Sequence, residues 1–188
     1  MCETLCGLNY KIIGTENIPS EKGVVFIKHS SVYELFVGLL LFSPSSWVAK
    51  QELMYLPLFR NAIKVFNFIP VKRGFGRSQV TRVIREGTER LSEGKWIVIF
   101  PEGTRVVHGM TKKYGISGAL LAVGTKSDIT PIAHNAGKYW GRRALLKKKG
   151  TILFSVGNKI STVGKTYDEV NHEAKVWIDG EVKRLDGL

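Results

Sequence analysis

The stretch VVFIKHSSVYELFVGLLLF, residues 24 to 42, decides how the chain is read. Its first part, VVFIK (24–28), is an unbroken apolar run rich in β-branched residues, the pattern of a strand covered on both faces. Its last part, residues 33–42, has a helical pattern, so strand passes to helix across His29, Ser30 and Ser31. The alternation continues along the chain. Strands are expected at YKIIG (10–14), WVAK (47–50), NFIPVK (67–72), WIVIF (96–100), ITPIAH (129–134) and TILFSVG (151–157), and helices at about 56–66, 78–92, 116–126 and 167–185. In 78–92, Val80, Val83, Ile84 and Leu91 recur at helical spacing while Arg82, Arg85, Glu86, Glu89 and Arg90 fill the other face. The expectation is an α/β fold: one domain over residues 1–188, with a largely parallel mixed sheet flanked by helices.

In such sheets ligands gather outside the strand ends. His29 directly follows VVFIK, Arg73 follows NFIPVK, and PEGTR follows WIVIF, so three strand exits carry a histidine, an arginine and a Glu102/Arg105 pair. On one continuous helix His29 and Glu34 would point ~140° apart, because each residue turns ~100°. With His29 in the loop and Glu34 in the first helical turn, the carboxylate can instead reach Nδ1, fix the tautomer and leave Nε2 as a base. The same residues also fit a capping box, with Ser31 capping the helix and Glu34 reaching back to the Ser31 N–H. The residues alone leave both readings open. Of the other histidines, His134 reads as a residue lining the site or, in preference, as a satisfied core residue, and His108 and His172 as solvent-facing.

Composition narrows the partners. The formal charge is 28 − 16 = +12, which points to an anionic partner: nucleic acid, a phospholipid surface or a phosphorylated substrate. Nucleic acid is not expected, since zinc-finger spacing, an RNP-type segment and a helix-turn-helix pattern are all missing. The GxxxxGK[ST] loop of nucleotide hydrolases is also absent. Cys2 and Cys6 form neither a CxxC motif nor a ligand set and fit a reducing compartment. The longest uncharged apolar run, Leu35 to Phe42, is far short of the ~20 residues that span a bilayer. YWGRRALLKKK (139–149) interleaves cations with Trp140, Leu145 and Leu146, and reads either as a membrane-facing loop or as solvated charge.

The later segments complete a set. Over roughly residues 9 to 160 the chain resembles the PlsC-like acyltransferases, the 1-acylglycerol-3-phosphate O-acyltransferase family, whose four blocks occur in order. The Asn-His-x4-Asp block corresponds to Lys28, His29 and Glu34. The second block corresponds to FIPVKR, ending at Arg73. The third is matched without change by FPEGTR (100–105), and the fourth corresponds to ITPIAH. GTENIP (14–19) is similar to the turn that leads into the first block. Two positions depart from the pattern, Lys28 for asparagine and Glu34 for aspartate; the extra methylene of Glu34 lengthens its reach by ~1.5 Å.

The resemblance implies transfer of a fatty acyl group from acyl-CoA or acyl carrier protein to the sn-2 hydroxyl of lysophosphatidic acid, making phosphatidic acid, with another lysophospholipid or glycerol 3-phosphate as the alternative acceptor. It implies His29 as base, Glu34 as its orienting acid, and Arg73 and Arg105 as phosphate-binding residues. Glu102, Gly103 and Thr104 would position the acceptor, with Glu102 touching its glycerol hydroxyls or orienting Arg105. No metal and no cofactor beyond the acyl donor are implied. With no GxSxG elbow in the chain, direct transfer is expected rather than a covalent enzyme intermediate. The implied setting is peripheral, at the cytoplasmic face of an anionic membrane. Family members commonly carry an N-terminal membrane-associated segment, so a missing anchor or another mode of membrane binding is expected here.

Overall fold

The computed structural model describes residues 7–55, 66–72 and 76–187. Among the described residues seven strands form one sheet: β1 Leu8–Ile13, β2 Val24–Ile27, β3 Ser45–Lys50, β4 Ile69–Val71, β5 Trp96–Ile99, β6 Ile129–His134 and β7 Gly150–Val156, in the spatial order β1-β7-β6-β2-β5-β3-β4. The five strands from β6 to β4 are mutually parallel. β7 runs antiparallel to β6, and β1 runs parallel to β7, so both edge strands on that side are reversed. The helices are α1 Tyr33–Leu41, α2 Gly76–Ser92, α3 Ser117–Thr125, the single turn α4 Ala136–Tyr139, and α5 Tyr167–Asp186. The helix expected at about 56–66 lies outside the described residues, apart from its last position.

The unbroken apolar strands are buried on both faces because helices cover both. Along β2, Val24 and Phe26 point to one core and Val25 and Ile27 to the other. β5 repeats this with Ile97 and Ile99 against Trp96 and Val98. The first core receives α2, α3 and α5 through Val83, Leu121, Val170 and Ile178, and the second receives α1 through Tyr33 and Val37. Gly38 lets α1 approach the sheet: a Cβ there would come within 2.5 Å of the Trp47 ring. α5 starts with a capping box, in which the Glu169 amide donates to Thr166 Oγ1 and the Thr166 amide to the Glu169 carboxylate.

The NFIPVK segment is shorter than expected. Asn67 has φ 44, a left-handed conformation that breaks the extended run and confines β4 to Ile69–Val71. Because β2, β3, β4 and β5 are parallel neighbours, their C-terminal ends share one edge of the sheet. His29, Lys50, Lys72 and the loop from Phe100 are therefore brought together there.

Candidate active site

β2 ends at Ile27, the chain turns through His29 and Ser30, and α1 begins at Tyr33, so His29 stands in the loop and Glu34 in the first helical turn. Glu34 Oε1 lies 2.8 Å from His29 Nδ1. The same carboxylate accepts the Ser31 N–H at 3.0 Å and the Ser30 N–H at 3.2 Å, while Ser31 Oγ accepts the Tyr33 N–H at 3.2 Å. The histidine contact is thus joined by one half of the capping box: Glu34 reaches back to the Ser31 N–H, but the residue before the helix is Val32, and Ser31 Oγ takes the Tyr33 N–H rather than that of Glu34. The Glu34 side chain is 0% exposed, whereas that of His29 is 19% exposed.

The rest of the histidine is held as firmly. Its ring stacks on Phe100 with centroids 4.0 Å apart and planes 18° apart. Its N–H donates to Glu102 Oε2 at 2.7 Å, and its carbonyl accepts the Val106 N–H at 2.7 Å. With Nδ1 occupied, Nε2 is the nitrogen left for chemistry.

Glu102 is buried and is not among the residues that line the groove: Oε1 pairs with Lys28 Nζ at 2.5 Å while Oε2 takes the His29 amide. Burial raises its carboxyl above the usual range, opposed by the Lys28 ammonium and the His29 amide. Gly103 has φ 66 and its amide donates to the Phe100 carbonyl at 2.9 Å, which makes the tight turn of FPEGTR.

His29 lines a groove of about 610 Å³, within the ~300–1,000 Å³ of small-molecule sites. Its lining includes the apolar side chains of Leu35, Trp47, Phe66, Phe68, Val83 and Phe100 and the cations Lys50, Lys72, Arg105, Arg142 and Arg143. Gly103 and Thr104 also line it. Arg73, the other arginine singled out in the sequence, lies outside the described residues. The sequence places Arg142 and Arg143 in a membrane-facing or solvated loop and not at the site; the signal that brings them here is that the loop follows β6, whose end adjoins β2.

His134 is fully buried, as expected of a core residue: its Nε2–H donates to the Lys28 carbonyl at 2.7 Å and its Nδ1 accepts the Ala136 N–H at 3.2 Å. Burial lowers its pKa, partly offset by Glu34. His108 departs from the solvent-facing reading, since its Nε2 lies 2.9 Å from Asp186 Oδ2 at the end of α5. His172 is exposed. Among the described residues no cluster of His, Cys, Asp and Glu is arranged to hold a metal ion, and no helix is long and apolar enough to cross a membrane.

The chain is similar in sequence and in fold to known proteins. A 1-acyl-sn-glycerol-3-phosphate acyltransferase of Pseudomonas aeruginosa is 35% identical over 191 residues, covering 100% of this chain and 74% of that protein. One from Borreliella burgdorferi is 24% identical over 187 residues, covering 98% of this chain and 74% of the relative. The fold is similar to the crystal structure of the 1-acyl-sn-glycerophosphate (LPA) acyltransferase PlsC from Thermotoga maritima, with a TM-score of 0.83 at 21% identity, over 98% of this chain and 75% of that one. Residues 9–135 match the family described as Acyltransferase, and the chain belongs to that family.

Proposed function

We propose that this protein acylates 1-acylglycerol 3-phosphate at its sn-2 hydroxyl, drawing the acyl group from acyl-CoA or acyl carrier protein and releasing phosphatidic acid. The observation that carries this reading is the His29 ring, tethered through Nδ1 to a buried glutamate and set in a groove lined by both apolar side chains and cations. An acyl chain suits the apolar side chains, and a phosphate suits the cations.

An alcohol is a weak nucleophile near neutral pH, so a base placed against it is worth ~10²–10⁴-fold. On this reading His29 Nε2 takes the hydroxyl proton as the oxygen bonds to the thioester carbonyl carbon. The tetrahedral adduct then collapses, the C–S bond breaks, and the imidazolium returns the proton to the departing thiolate. Glu34 orients the ring and stabilises the transient cation. Arg105, with Arg73, binds the acceptor phosphate, for which a guanidinium offers paired N–H donors. Gly103 and Thr104 shape the loop beside it. Glu102 acts from below, through the His29 amide, rather than on the substrate.

Substrate and product are lipids, which places the enzyme peripherally on a bilayer, at its anionic cytoplasmic leaflet. Leu145 and Leu146 are 89% and 87% exposed, just after the two arginines that line the groove and just before Lys147, Lys148 and Lys149, and this supports residues 139–149 as the lipid-facing segment.

The test is an acyl-transfer assay on mixed micelles of lysophosphatidate with labelled acyl-CoA or acyl carrier protein. Phosphatidate should form, and His29→Ala should lower kcat by ~10²–10⁴-fold. No product with either donor, or a His29→Ala variant that keeps wild-type kcat, overturns the reading.

A further inference from the structure

The lysine that ends the central strand is an unusual residue for its place. Lys28 follows the buried run of β2 and is itself only 3% exposed. An uncompensated ammonium there is strongly unfavourable, so the fold must supply counter-charge. It does so from two directions: Nζ lies 2.5 Å from Glu102 Oε1 and 3.8 Å from Asp179 Oδ1 on α5, and donates to the Met110 carbonyl at 3.3 Å.

Glu102 passes this on to the histidine, because its second oxygen accepts the His29 N–H. The His29 carbonyl is held by Val106 of the same loop. Both backbone polar groups of His29 are therefore fixed by residues that flank Arg105, and one of these contacts depends on where Lys28 holds the Glu102 carboxylate. A neutral asparagine, the residue that the family resemblance leads one to expect at this position, supplies no charge to hold it.

We propose that Lys28 is a positioning residue for the acyl transfer: by pairing with Glu102 it sets the His29 backbone and the spacing between the imidazole and Arg105. The inference rests on the acyl-transfer reading above, and concerns kcat rather than affinity for the acceptor.

The Glu102 carboxylate contacts Lys28 and the His29 amide and also feels the His29 imidazole and the buried Tyr114 hydroxyl electrostatically, with Asp179 beyond Lys28 and Lys175 paired to Asp179 and 6.0 Å from the Tyr114 ring centroid. Removing the Lys28 cation leaves Glu102 buried near Asp179 with less to hold its proton off. A protonated Glu102 presents a weaker acceptor to the His29 amide, so activity becomes sensitive to acid.

The experiment compares wild type, His29→Ala, Lys28→Met and Lys28→Met/Glu102→Gln in the micelle assay across pH. Wild type and His29→Ala report on the acyl-transfer reading by itself. Lys28→Met should lose ~30- to 100-fold in kcat, in line with the cost of a misplaced catalytic group, with KM for lysophosphatidate within ~3-fold. The acid limb of its kcat profile should move up by about one unit or more. The double variant keeps an amide oxygen for the His29 N–H and has no charge left to titrate, so it should recover kcat to within ~5-fold and lose the shifted limb. Wild-type kcat and an unmoved limb in Lys28→Met overturn the proposal. So does a double variant as impaired as the single one with the same profile, which would mean that Lys28 serves packing alone. If Lys28→Met does not fold, Lys28→Gln, which keeps a neutral donor, takes its place with the same outcomes.

Discussion

The amide of Val106 donates to the carbonyl of His29 across 2.7 Å, and this makes the histidine and the loop after β5 one rigid unit. The proposed base and Arg105, which line the same groove, are thereby tied by backbone rather than by side chains alone. Substitutions that spare this tie should change chemistry or binding separately.

Glu34 serves two structures at once, so its variants should show two effects. Glu34→Gln keeps an oxygen for the Ser31 amide but offers His29 a neutral partner. Its kcat should fall by ~10²–10⁴-fold, and its stability by only ~1–3 kcal/mol. Ser31→Ala, which removes the acceptor of the Tyr33 amide, should cost ~1 kcal/mol with kcat little changed. Parallel kinetics and urea melts check both. A Glu34→Gln variant that loses stability but no activity would assign the residue to the helix start only.

Arg105→Ala should act on acceptor binding. We expect KM for lysophosphatidate to rise ~10- to 100-fold, the value of a charge-assisted contact to phosphate, with a much smaller change for an acceptor lacking the phosphate. Equal losses with both acceptors would count against the assignment.

His134 gives a pH signature in stability. Its folded-state pKa lies below the ordinary 6.5 because it is buried. The unfolded chain therefore takes up a proton there that the folded chain refuses, so the contribution is fully present above pH 6.5 and is lost as pH falls toward the folded value. Glu102, shifted upward, works in the opposite sense over its own range. The difference between wild type and His134→Gln isolates the histidine: the variant's melting temperature should fall less between about pH 7 and pH 5 than that of wild type.

Gly38→Ala should destabilise the fold by ~1–3 kcal/mol, since the added methyl meets the Trp47 ring. Thermal denaturation with an intact kcat on the remaining folded protein is the expected result.

Leu145→Ser/Leu146→Ser should weaken sedimentation with phosphatidylglycerol vesicles by about tenfold or more, given the value of burying two leucines. Its kcat on a monomeric, water-soluble acceptor should remain that of wild type.

Much of the fold was legible because its strands announce themselves. Runs such as VVFIK and WIVIF have no polar face, and the structure buries them between two helical layers, with strand ends displaced by only a residue or two. The short β4 was overestimated, because nothing local in NFIPVK shows that Asn67 turns left-handed. At the site, His29 and Glu34 were readable as a pair, but their spacing also suits a capping box, and only coordinates show the carboxylate on the imidazole and the Ser31 amide while Val32, not Ser31, precedes the helix. The Lys28–Glu102 contact joins positions 74 apart, and the His108–Asp186 contact spans most of the second half of the chain; no local pattern reports either. A lysine closing a buried strand was nonetheless a sign that an acid had to be waiting for it.

The reversal of β1 and β7 has a practical side. Both begin at the edge where β2 and β5 finish, and the Gly150 amide donates to the Gly7 carbonyl at 2.9 Å there. A label or purification handle joined directly to residue 7 would leave the sheet at the edge that also carries the groove and compete with vesicles for space. A probe for following turnover on membranes belongs at the opposite edge, for instance on the turn between α2 and β5.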